Sequence, residues 1–134
     1  MRKNVIALIL IALLSAGCVP MLIGAAGVVT GYVAFKDSVA GNIDGTFNDI
    51  WSGVKTVMEN HTEIIKEDDL RGTVRSSFQD NDVTVKVIAF TDNAYKLKVT
   101  CRRMYKMAAN LELAQDLFTR IIKEIVSIQT ANQK

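Results

Sequence analysis

The sequence predicts an α+β domain: an antiparallel sheet of about four strands with two helices on one face, in the order β-α-β-β-β(-β)-α. Three observations predict it. Two segments repeat apolar residues at helical spacing, and the segments between them alternate apolar and polar residues. Clusters of Asp, Asn and Gln separate those alternating segments at hairpin distances.

Val39 and Ile43 fit a first strand that leads into Asp44-Gly45. A helix begins after Thr46, because Phe47, Ile50, Trp51, Val54, Val57 and Met58 fall on one stripe and Thr46 with Asp49 resembles a capping box. Asn60 or His61 ends it. Extended segments are expected at 63–67, 70–78, 83–90 and 95–101. Leu70, Val74 and Phe78 point inward in the second of these, as do Val83, Val85, Val87 and Ala89 in the third. Tyr95, Leu97, Val99 and Cys101 do so in the fourth. Residues 79–82 and 91–93 read as the hairpin loops. Asn110 is a natural N-cap for the last helix, whose stripe is Leu113 or Ala114, Leu117, Phe118, Ile121, Ile125 and Ile128.

The chain before this domain has a different character. Arg2 and Lys3 precede an apolar stretch from Val5 to Leu14, and Ser15-Ala16-Gly17 leads into Cys18. That order is an export signal, and a cysteine directly after the small residues is the mark of a bacterial lipoprotein signal, with its thiol carrying a diacylglycerol thioether. Ser15 stands where an aliphatic residue is commoner. Two other readings use the same residues: an ordinary cleaved signal, or an uncleaved spanning helix, since 5–35 is almost uncharged and ~20 apolar residues cross a bilayer. Pro20, Gly24, Gly27 and Gly31 argue against the helix. The resulting organisation is a signal peptide at 1–17, a lipidated Cys18 with an apolar Gly/Ala-rich juxtamembrane segment at 18–35, and one domain at 36–134. Val19, in place of an aspartate after the cysteine, favours the outer membrane over the inner. The juxtamembrane segment packs on its own domain, lies at the bilayer surface, or self-associates through Gly27 and Gly31, whose spacing lets two helices approach closely.

Loss of Arg2 and Lys3 takes the 16 basic residues to 14, equal to the 14 acidic ones. A formally neutral mature protein gives no general argument for nucleic acid. With Cys18 acylated, Cys101 has no partner within the chain and reads as a small buried hydrophobe, with an intermolecular disulfide or redox role as the alternatives.

The layout resembles a family of small bacterial lipoproteins described only as a domain of unknown function. The features that carry the resemblance are Cys18, the glycines from Gly24 to Gly31, Val39-x-x-x-Ile43-Asp44, Ile50-Trp51, and Asp69-Leu70-Arg71-Gly72-Thr73. The chain departs from it at Tyr105-Lys106-Met107-Ala108-Ala109-Asn110, where family members place glycines and an aspartate. The resemblance implies a lipid-anchored α+β domain and brings no activity with it.

No catalytic constellation is legible. His61 is the only histidine and sits at a helix end, where a cation is mildly favoured. Glu67-Asp68-Asp69 is a short acidic run without the ligand spacing of a calcium loop. No phosphate-binding loop, nucleophile elbow or dinucleotide fingerprint is present. The expectation is a protein that is not an enzyme and holds no metal or cofactor beyond the covalent lipid.

One surface stands out. With a four-residue loop at 79–82 and a three-residue loop at 91–93, Arg75 faces Lys86 and Lys86 faces Lys98 on the outer face of the sheet. Like charges directly opposite are destabilising. Arg71, Lys96 and Arg102 flank the row, with Thr73, Ser77, Thr84 and Thr100 between them. A locally basic face on a neutral protein points to an anionic partner, unless the long side chains simply splay into solvent. The face lacks the interleaved aromatics of a nucleic-acid platform. The expected role is a membrane-tethered adaptor for another envelope component. The alternatives are a binder of anionic lipid headgroups or acidic glycan, and a homo-oligomeric structural lipoprotein.

Overall fold

A computed structural model describes residues 29–106 and 108–133. Cys18, the 1–17 signal, Gly27 and the first part of the juxtamembrane segment lie outside the described residues. The fold is α+β, with six strands and two helices in the order β-β-α-β-β-β-β-α. The strands are β1 (Val29–Ala34), β2 (Ser38–Asp44), β3 (Glu63–Asp68), β4 (Thr73–Phe78), β5 (Asn81–Thr91) and β6 (Ala94–Arg103), and the helices are α1 (Phe47–His61) and α2 (Leu111–Asn132). All strand neighbours are antiparallel, in the spatial order β1-β2-β6-β5-β4-β3.

The sheet is thus larger than the expected one of about four strands, even with the optional fifth. The additional strand, β1, lies inside the stretch read as juxtamembrane, so among the described residues the sheet already includes Val29–Ala34, ahead of residue 36. Its apolar residues hid it, because an uncharged run has no alternation to read. Gly31 belongs to this strand, which removes the second glycine from the proposed Gly27/Gly31 helix contact. Among the described residues no helix is long and apolar enough to cross a membrane.

Strand alternation sends one set of side chains to a single core. Val39, Val99, Val85 and Val74 form one cross-strand row of it, all fully buried. Both helices cover that face. Thr46 caps α1 by accepting from the Asp49 backbone N–H at 3.2 Å, and Asn110 caps α2 by accepting from Leu113 N–H at 3.3 Å. Ile50, Val54 and Met58 of α1 meet Leu117, Ile121 and Ile125 of α2 and the sheet in one cluster. The helices cross closely at Gly53: a Cβ there would fall 2.5 Å from Ile125 Cγ1.

Three details differ from the expected core. Leu70 is 99% exposed, because β4 starts only at Thr73 and residues 69–72 are a turn. Ala89 is exposed where β5 reaches the sheet end and its pairing with β6 becomes irregular. On α2 the last inward position is Gln129, not Ile128; its Nε2 donates to the Asp44 carbonyl at 2.8 Å and ties the helix end to β2.

Candidate functional site

The outer face of the sheet carries the polar half of each alternating strand. Thr73, Arg75 and Ser77 of β4 lie beside Asp82, Thr84 and Lys86 of β5, and these beside Lys98, Thr100 and Arg102 of β6. Lys86 pairs directly with Lys98, as expected. Arg75 does not face Lys86. It stands opposite Thr84, and Thr73 takes the place opposite Lys86.

The cause is the β4–β5 turn. Only Gln79 and Asp80 form it, both with positive φ (46° and 62°), in the manner of a type I′ turn whose twist suits a hairpin. A two-residue turn brings Asn81 and Asp82 into β5, and the register moves by two residues from that of a four-residue loop. The face each side chain occupies is unchanged, but its cross-strand neighbour is not. Asn81 braces the corner. Its Nδ2 donates to the carbonyls of Phe78 (3.1 Å) and Gln79 (2.8 Å), and its Oδ1 accepts from Asn110 Nδ2 at 3.0 Å.

Asp82 changes the electrostatics of the face. Arg75 binds it in bidentate fashion, Nε at 3.0 Å and Nη2 at 2.7 Å. Arg102 is held by Asp37, in the turn between β1 and β2. The Arg102 hydrogen bond holds the Asp37 carboxyl below its usual range. Arg71 is not on the sheet face at all: it lies in the β3–β4 turn, 3.8 Å from Asp68. Lys96 lies over the Phe90 ring, 5.0 Å from its centroid.

Of the six basic residues, three make no hydrogen bond or ion pair among the described residues: Lys96, which rests on Phe90, and the facing Lys86 and Lys98. Lys86 and Lys98 share a shallow concavity with Asp82, Thr84, Thr100 and Arg102. Its floor is rigid, being the central β5–β6 pair of the sheet. Two unpaired ammonium groups side by side, with hydroxyls next to them, suit one anionic group bridged between them. The acids that neutralise the neighbouring arginines were missed in the sequence for different reasons: Asp82 because 79–82 reads as a loop, and Asp37 because the β1–β2 hairpin that positions it was not foreseen. A two-residue reading of Gln79-Asp80 places Asp82 on the strand.

Elsewhere the titratable groups serve the fold. Trp51 Nε1 donates to Asp69 Oδ1 at 2.8 Å, and Lys55 reaches Glu67 Oε1 at 2.7 Å, tying α1 to β3 and the turn after it. Cys101 is fully buried, and burial, with the nearby Asp82 charge, pushes its thiol up to about 12. Such a thiol is unreactive at neutral pH. No group of three or more potential metal ligands occurs among the described residues. A scan against protein-family models finds no match for the chain, and a search of curated proteins finds none.

Proposed function

We propose that this protein is a non-catalytic binding module of the bacterial envelope, anchored to the membrane by lipid on Cys18 and offering the outer face of its sheet to an anionic partner. The Lys86–Lys98 pair is the observation that carries the binding half of this reading. A sheet selected for stability alone places opposite charges across a rung, as this one does with Asp82 and Arg102. At the next outward pair but one it places like charges, and neither lysine is ion-paired among the described residues.

The anchoring half rests on the basic, apolar and small-residue order that ends at Cys18, and on the likeness to small bacterial lipoproteins. Val19 favours the outer membrane, periplasmic side. An envelope protein with an acidic surface, an anionic lipid and an acidic glycan all have the required charge.

The test has two arms. Mass spectrometry of the membrane-extracted protein should find acyl chains on Cys18, and Cys18→Ser should release the protein from the membrane fraction. Crosslinking in intact envelopes should then compare wild type with a folded Lys86→Glu/Lys98→Glu variant. A ligand captured by wild type and lost from the variant supports the face as the contact site. Identical capture by both removes it from the mechanism.

A further inference from the structure

We infer that the end of the sheet where β1 begins is a membrane-contacting tip, on which Leu70, Ile88 and Phe90 enter the headgroup region of an anionic bilayer while Lys96, Lys86 and Lys98 meet its phosphates. The inference rests on the anchored reading above and names the anionic partner of that same face: the phospholipid surface that holds the lipid anchor.

Strand register locates the tip. Val29 pairs with Ile43, Ile43 with Tyr95, and Tyr95 with Ala89. The first residue of β1 therefore shares a cross-strand row with Ala89, whose sequence neighbours are Ile88 and Phe90. At ~4.8 Å between strands, three steps separate Val29 from Ala89 by about 14 Å. The β3–β4 turn lies at the same end, because Gly72 accepts from Val87 N–H at 2.8 Å. That turn holds Leu70.

Three of the exposed large apolar residues lie there. Leu70 is 99% exposed, Phe90 56% and Ile88 44%. Single exposed apolar residues are ordinary, but these three lie within one end of the fold and border a run of cations. Lys96 sits over Phe90 and opposite Ile88, and Lys98 and Lys86 form the next outward pair along the strands. From Lys86 to Phe90 the strand advances about 13 Å, so the apolar tip and the paired lysines fit one footprint. Arg71 stands next to Leu70. The acids at this end include Asp44, paired with Ala94 at the end of β2, Asp68, beside Arg71, Asp69, held by Trp51 and Lys55, and Asp92 in the β5–β6 turn.

The tether supplies the second argument. Val29 lies eleven residues after Cys18, a span of at most about 38 Å when fully extended. An acylated Cys18 keeps the first residue of β1 within that distance of the bilayer. Other exposed apolar residues lie away from this tip: Val33 and Phe35 at the far end of β1, Ile65 on β3, and Met104 and Tyr105 at the opposite end, where Met104 N–H donates to the Asp80 carbonyl of the β4–β5 turn. Apolar side chains beside lysines are the chemistry of interfacial binding, and the lysines add attraction to anionic lipid.

The test reads depth at both ends of the full chain. A polarity-sensitive dye is placed on Leu70→Cys or Tyr105→Cys, with Cys101 too buried to compete. The membrane-extracted protein is reconstituted in phosphatidylcholine vesicles with or without phosphatidylglycerol, with a spin label at headgroup depth. The dye at 70 should be quenched several-fold more than the dye at 105. The excess should shrink on Lys86→Glu/Lys96→Glu/Lys98→Glu and in high salt while the protein stays anchored. Equal quenching at the two positions, or an excess indifferent to lipid charge, overturns the inference. So does shielding of position 70 in intact envelopes that vanishes in lipid vesicles, which means a protein partner covers the tip. If Cys18 carries no lipid, the anchored reading fails separately. Added vesicles then decide: quenching at 70 with phosphatidylglycerol retains the tip, and none removes it.

Discussion

Lys86 on β5 and Lys98 on β6 face one another directly across the most central strand pair of the outer sheet face. Their mutual repulsion is an energetic cost that no ion pair relieves, although Asp37 attracts Lys98 from a distance. Replacing one of them by glutamate converts the rung into an opposite-charge pair. Lys86→Glu should raise the free energy of unfolding by a few tenths of a kcal/mol to ~1 kcal/mol, read as a higher urea midpoint. Lys86→Glu/Lys98→Glu should return it toward the wild-type value. A single variant no more stable than wild type means that the ammonium groups already splay apart.

Gln79 and Asp80 hold positive φ without a glycine, which is uncommon for both residue types. An Asn-Gly pair suits this turn far better. The double substitution Gln79→Asn/Asp80→Gly should stabilise the protein by up to ~1 kcal/mol, measured by thermal or urea unfolding. It should leave the Arg75–Asp82 pairing in place. A loss of stability shows that the turn is not of this type.

Gly53 allows α1 and α2 to touch. Beyond the contact with Ile125 Cγ1, a Cβ there would lie 3.1 Å from the Ile125 backbone nitrogen, so a rotamer change cannot clear the space. Gly53→Ala gains helix propensity, yet it should destabilise the protein by ~1–3 kcal/mol because overpacking forces the helices apart. Equilibrium unfolding checks the sign directly. A stabilised Gly53→Ala protein rules out this helix contact.

Asp69 has a carboxyl held below its usual range, first by the Trp51 indole hydrogen bond and next by Glu67, with the Lys55 charge adding to them. The folded value therefore lies under the unfolded one, about 3.9. Its contribution to stability is complete above that pH and disappears as pH falls through the folded value. The stability gap between wild type and Asp69→Asn should be constant near neutrality and close on acidification below about pH 4. Trp51, the single tryptophan, reports the same contact by fluorescence. A gap that persists into strong acid means the carboxylate charge contributes nothing.

Periodicity made most of the fold legible. The two apolar stripes, the Thr46 and Asn110 caps and the one-sided alternation of β5 and β6 follow from residue order alone, because each depends on neighbours a few positions away. The Lys86–Lys98 rung was legible for the same reason, since a short β5–β6 turn leaves little freedom of register. β1 was not, for its residues alternate in nothing, and only its pairing to β2 makes it a strand.

Alternation is information of parity: it assigns each residue to a face but does not say which residue stands opposite. Sequence alone therefore determined that Arg75, Lys86, Lys98 and Arg102 share the outer face, and that Cys101 is buried behind it. Tertiary structure decided which of those charges are neutralised. A two-residue turn at Gln79-Asp80 brings Asp82 within reach of Arg75, and the distant pairing of β2 with β6 brings Asp37 to Arg102. Those contacts neutralise the arginines of an apparent basic row and leave its lysines without ion pairs, because ion pairing depends on ångströms across strands, a distance that no local pattern along the chain encodes.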